Sequence, residues 1–138
     1  MSKSVLVVED EVDMMLTFRI VLQTAGYRIF EASSGEEALT MLESLVPDAM
    51  ILDLMLPGID GWEVLTTIRL AGLLPSTPII VASASANAVP GQDERARELG
   101  CAEVFTKPFC AEELRRTLAR MLAPRSTPAD WRRVGQPP

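Results

Sequence analysis

Short apolar runs recur at Val5 to Val8, Arg28 to Ala32, Ala49 to Leu54, Pro78 to Ala82 and Glu103 to Phe105, and helical patterns fill the gaps between them. Val5 to Val8 is apolar at every position, so both faces of a strand there are covered, as in the centre of a parallel sheet. The first gap predicts a helix over about Asp13 to Ala25 that stops at Gly26, a residue able to take the left-handed conformation past a helix end. Ser34-Gly35-Glu36-Glu37 has the Ser-x-x-Glu form of a capping box and predicts a second helix through about Leu45, closed by Pro47. Asp60-Gly61-Trp62 opens a third, with Val64, Leu65 and Ile68 as its inward stripe. A fourth, from near Gln92, carries mainly Asp93, Glu94, Arg95, Arg97 and Glu98 and should be the most exposed. A fifth, Ala111 to Leu122, sets Leu114, Leu118, Met121 and Leu122 on one face. Strict alternation of strand and helix with short connections implies right-handed crossovers. The fold class is therefore α/β, doubly wound, with a five-stranded parallel sheet and helices on both faces.

From Pro124 the chain turns to Pro and polar residues without apolar periodicity, which divides it into one domain over 1–123 and a tail or linker over 124–138. Trp131 beside Arg132 and Arg133 reads either as a docking peptide or as part of a disordered end. The net charge of −6 argues against a nucleic-acid-binding surface, which selects for clustered Lys and Arg. No apolar run approaches the ~20 residues of a membrane span, and MSKSVLVV enters a strand without a signal-peptide layout, so a cytoplasmic location is expected. Cys101 and Cys110 have no metal-ligand spacing and read as ordinary small side chains. The absence of histidine excludes a Ser-His-Asp or Cys-His nucleophile.

Candidate chemistry gathers where the strands end. Glu9, Asp10 and Glu11 stand in a row directly after Val8. Crowded carboxylates raise one another's pKa and destabilise a site unless a cation joins them. Glu9 and Asp10 end the first strand, Asp53 the third and Ser83 the fourth, and Lys107 follows the fifth. Ligands of open parallel sheets bind outside the carboxyl ends of the strands, so these tips converge on one crevice. Each acid alone at a strand end is usually a helix cap or a solvated side chain. Their joint occurrence at several strand ends is what marks a site. Oxygen ligands without His or thiolate suit Mg²⁺ or Mn²⁺.

The pieces VLVVEDE, ILDLMLPGIDGWEVL, PIIVASAS and FTKPF, in this order, resemble a response-regulator receiver domain of the CheY-like superfamily, over Lys3 to about Leu122. The resemblance implies the flavodoxin-like strand order 2-1-3-4-5 and a phosphorylation switch. By it, Asp53 is the phosphoacceptor, and Glu9 and Asp10 hold Mg²⁺ with Asp53 and the Met55 backbone carbonyl. Ser83 is the switch hydroxyl, Ala84 lies beside it at the phosphate, and Lys107 contacts the phosphate. Activity is limited to weak self-phosphorylation and self-dephosphorylation. The implied partners are a sensor histidine kinase or histidine phosphotransfer protein upstream and an effector protein or missing output domain downstream, with neither nucleic acid nor membrane contacted directly. Switching would alter the segment after the fourth strand and the surface of the fourth helix, fifth strand and fifth helix, in a monomer or a phosphorylation-dependent homodimer.

Several positions depart from the pattern. Val104 stands where many receivers carry an aromatic residue that rotates with the switch hydroxyl, and Phe105 should face the other side of its strand. Glu103 and Glu113 occupy acidic places of a dimer network, but Thr117 stands at its arginine place, with Arg116 one step around. Met55 and Ser85, which by the resemblance flank the path of a hydrolytic water, are poor at orienting it, so slow loss of phosphate is expected. A non-switching interaction module with the same fold is the alternative. A haloacid-dehalogenase-type phosphatase would want Asp where Met55 stands, a flavodoxin phosphate loop would be repelled by Glu9-Asp10-Glu11, and the Rossmann motif G-x-G-x-x-G is missing.

Overall fold

The computed structural model describes residues 2–84 and 91–123. Five strands and five helices alternate: β1 (Ser4–Val8), α1 (Val12–Thr24), β2 (Arg28–Ala32), α2 (Gly35–Met41), β3 (Ala49–Leu52), α3 (Gly61–Leu70), β4 (Ile79–Ser83), α4 (Gln92–Glu98), β5 (Glu103–Thr106) and α5 (Ala111–Leu122). All strands pair in parallel, in the order β2-β1-β3-β4-β5. The expected doubly wound sheet is thus the fold.

Strand alternation sorts the core into two layers. Val5, Val7, Ala49, Ile51, Ile80 and Ala82 face one side, where Met15, Phe18 and Leu22 of α1 and Leu114 and Leu118 of α5 cover them. Leu6, Val8, Met50, Leu52, Ile79 and Val81 face the other, under Ala38 of α2, Val64, Leu65 and Ile68 of α3, and Ala96 of α4. The caps read from sequence form as expected: Ser34 Oγ accepts from the Glu37 amide at 3.1 Å, and Asp60 Oδ1 from the Glu63 amide at 2.9 Å. Among the described residues, no helix is long and apolar enough to cross a membrane.

One helix is shorter than its pattern. α2 ends at Met41 rather than near Leu45, because the chain tightens into i to i−3 turns, Glu43 N–H to the Thr40 carbonyl and Ser44 N–H to the Met41 carbonyl, both 3.2 Å. The turn brings Asp48 to β1, where its amide donates to the Ser4 carbonyl at 2.9 Å and its Oδ2 accepts from the Ser4 amide at 2.7 Å. β3 also stops at Leu52, which leaves Asp53 just beyond the strand, and β4 extends one residue further than read, to Ser83.

Candidate functional site

Each candidate side chain stands at or just past a strand end, and backbone bonds to the neighbouring strand fix its place. The Glu9 amide donates to the Ala32 carbonyl at 3.0 Å, the Asp53 amide to the Val8 carbonyl at 3.1 Å, and the Lys107 amide to the Ser83 carbonyl at 3.1 Å. β2, β1 and β4 thereby position the first residue after β1, β3 and β5. Gly61 completes the frame. A Cβ there would lie 2.3 Å from the Asp53 carbonyl oxygen and 2.5 Å from the Leu54 Cα, so only glycine lets the start of α3 rest on the backbone that carries Asp53.

Within this frame the Lys107 ammonium bonds both a Glu9 carboxylate oxygen and, at 3.1 Å, Asp53 Oδ2. The second Asp53 oxygen accepts from the Met55 amide at 3.0 Å, and Glu9 Oε2 from the Glu11 amide at 3.2 Å. Glu9 is 1% exposed and Asp53 5%. Burial pushes the Glu9 carboxyl above its usual range, and the bonds from Lys107 and the Glu11 amide only partly offset this. Burial acts against the Lys107 ammonium too, but the bond to Glu9 and the charge of Asp53 outweigh it and hold its pKa above the ordinary lysine value.

Asp10 is exposed and joins the cluster from the solvent side. Glu9, Asp10 and Asp53 each offer an oxygen, and these lie within 4.8 Å of one another, a group that could hold a metal ion. Three carboxylates against one ammonium leave two negative charges, which one divalent cation would balance. The all-oxygen donor set suits a hard cation, and the exposure of Asp10 leaves room for its waters.

The remaining sequence candidates lie around this centre. Ser83 is fully buried at the end of β4, in register with Thr106. Ala84 follows it at the surface, and Met55 is 62% exposed. Val104 packs with the α2–α3–α4 layer and Phe105 with the α1–α5 layer, so the two do point to opposite faces. Ser85 and the tail with Trp131 lie outside the described residues.

Two roles were not read from sequence. Gly61 was read only as part of a helix start, although a glycine in a first helical turn, where alanine is preferred, signals a close approach. Arg120, which the sequence did not single out, reaches Glu103 at 3.5 Å, while Thr117 turns into the core at 5% exposure.

The response regulator receiver domain family matches residues 5–119. The polar-differentiation response regulator DivK of Brucella ovis is 33% identical over 122 residues, covering 88% of this chain and 98% of its own. The alkaline phosphatase synthesis transcriptional regulatory protein PhoP of Bacillus subtilis is 37% identical over 119 residues. That alignment covers 83% of this chain but spans only 46% of PhoP. Among solved structures, the receiver domain of a Pseudomonas aeruginosa sensor histidine kinase, with a magnesium ion coordinated in its active-site cleft, superposes with a TM-score of 0.79. It is 30% identical, and the match covers 90% of this chain and all of that one.

Proposed function

Because the chain belongs to the response regulator receiver domain family of two-component signalling, we propose that it accepts a phosphoryl group on Asp53 from a partner's phosphohistidine and switches its surface in response. The observation that carries this reading is the Asp53 carboxylate, held by Lys107 at 3.1 Å inside a three-carboxylate cluster at the strand ends.

Asp53 Oδ attacks the phosphorus, the bond to the donor nitrogen breaks, and an acyl phosphate forms. Bond making needs little from the protein beyond position and charge compensation. Position comes from the Met55 amide and from Gly61, which fix the carboxylate and the backbone beneath it. Lys107 remains with the transferred oxygens and offsets their charge. Glu9, Asp10 and Asp53, with the Met55 carbonyl, would hold Mg²⁺, which supplies further charge neutralisation at the phosphoryl oxygens. The product adds negative charge and three acceptor oxygens, to which Ser83 donates its hydroxyl. The segment after Ser83 and the α4–β5–α5 surface then change. The donor is a sensor histidine kinase or histidine phosphotransfer protein, and the receiver of the signal is an effector protein or an output domain. Catalysis is confined to the protein's own phosphorylation and dephosphorylation.

Val104 favours a second reading, a non-switching module, since the position offers no ring to follow Ser83. Intact-mass measurement after treatment with a small acyl-phosphate donor and Mg²⁺ tests the first. Wild type should gain one phosphoryl mass and Asp53→Asn none; a labelled Asp53→Asn protein would end the assignment. Amide shifts confined to the crevice on forming the beryllofluoride adduct, where the fluoride atoms stand in for phosphoryl oxygens, would favour the second.

A further inference from the structure

The junction of α3 and α4 carries an aromatic contact for which the phosphoryl chemistry has no use. Arg95 of α4 lies over the Trp62 ring of α3, its guanidinium carbon 4.2 Å from the ring centroid, within cation–π range. Asp60, Glu63, Thr66 and Thr67 complete a groove of about 320 Å³ around the pair.

Among the described residues, little else holds α4. Of its seven residues only Ala96 is buried, and it starts at Gly91 with no side-chain cap. Gln92 Oε1 and Asp93 Oδ1, in its first turn, are buried without a hydrogen-bond partner among the described residues. Buried acceptors without donors cost free energy that another seat of the helix can relieve. The C-terminal end is tied down instead: Arg69 of α3 donates from Nε to the Leu99 carbonyl at 2.7 Å and from Nη2 to the Gly100 carbonyl at 3.2 Å. The helix is thus pinned at one end by Arg69 and held on its flank by Arg95, while its other end is joined through the chain to Ser83.

This seat of α4 accompanies a direct Lys107–Asp53 ion pair, which a phosphoryl group on Asp53 would interrupt. Resting on the reading of Asp53 as phosphoacceptor, we propose that the Arg95–Trp62 stack is a latch holding α4 in its resting seat. Switching opens the latch, and α4 pivots about Arg69. Both arginines act as positioning residues, since neither touches the phosphoryl site.

A contact present in one seat and lost in the other sets the balance between them. By linkage, removing it tightens the binding of any ligand that selects the second seat. The test uses the full chain with Trp131→Phe, which leaves Trp62 as the single tryptophan. Beryllofluoride with Mg²⁺ is titrated into this protein and into its Arg95→Ala and Arg95→Lys variants while Trp62 emission is followed. The adduct should shift Trp62 emission, and Arg95→Ala should already emit like the adduct before any is added. Arg95→Ala should bind beryllofluoride about two- to fivefold more tightly, the strength of an exposed cation–π contact, with Arg95→Lys in between. Arg95 is exposed, so the variants keep the fold, which their unfolding midpoints verify. If the adduct forms and Trp62 emission stays fixed, or Arg95→Ala binds no more tightly, the latch is overturned and the phosphoacceptor reading stands. If no variant takes up beryllofluoride, the phosphoacceptor reading fails and the latch with it.

Discussion

α3 begins on Asp60, whose carboxylate caps the Glu63 amide, and buries Val64, Leu65 and Ile68 completely; α4 begins on uncapped Gly91 and buries Ala96 alone. Each large apolar side chain fully buried contributes about 1.5–3 kcal/mol. α3 is therefore anchored by its core, while among the described residues α4 adds to buried Ala96 chiefly the Arg95–Trp62 stack and the Arg69 bonds to the carbonyls just after it. The helix that rests on the Asp53 backbone is fixed, and the helix at the proposed output surface is the less anchored of the two. This difference fits the proposed function, in which the site needs constant geometry and a responding surface needs two seats of similar free energy.

The contrast is broken most strongly at Gly61. Gly61→Ala puts a Cβ against the Asp53 carbonyl and should destabilise the protein by about 3 kcal/mol, seen in the urea midpoint, and abolish phosphoryl uptake. Gly91→Ala meets no atom of the described residues within 4 Å and bears the left-handed backbone at φ 86, a cost of about 1 kcal/mol.

Next in size is Arg69→Ala, which removes donors from Leu99, Leu74 and Gly100 and should cost about 2 kcal/mol. Its sharper readout is Cys101, which is buried beside α4 with its thiol pushed up to about 12, while Cys110 is exposed. At mildly alkaline pH a thiol reagent should label Cys110 and spare Cys101 in wild type. Arg69→Ala should speed Cys101 labelling through local opening; equal Cys101 protection in both would show that α4 is not held this way.

Smaller still, Asp60→Ala should lower stability by about 1 kcal/mol through the lost cap. Glu94→Ala, on the exposed side of α4, should stay within about 0.5 kcal/mol. A larger loss at Glu94 would mean that α4 is better anchored than its burial indicates.

The sequence carried the sheet, its order by resemblance, and the residues at the strand ends, because strand burial and helix caps are local signals. Val104 and Phe105 could be assigned to opposite faces for the same reason. The end of α2 could not be placed, since Leu42 and Leu45 continue the helical spacing while the docking of Asp48 on Ser4 decides where the chain turns. Gly61 against Asp53, Arg69 on three carbonyls and Arg95 over Trp62 depend on distances between elements, for which the spacing of residues along the chain has no code.

Lys107 is separated from Glu9 by 98 residues and from Asp53 by 54, so the ammonium that reconciles the carboxylates is among the last parts of the domain to be synthesised. A chain emerging from the ribosome holds Glu9, Asp10 and Asp53 well before it holds β5. Until that strand docks, the carboxylates of the crevice lack their internal counter-charge, and the long-range pairings that assemble them close late. On the proposed function, competence to accept a phosphoryl group is therefore tied to synthesis of β5: a product that ends before this strand carries Asp53 without the Lys107 ammonium that faces it.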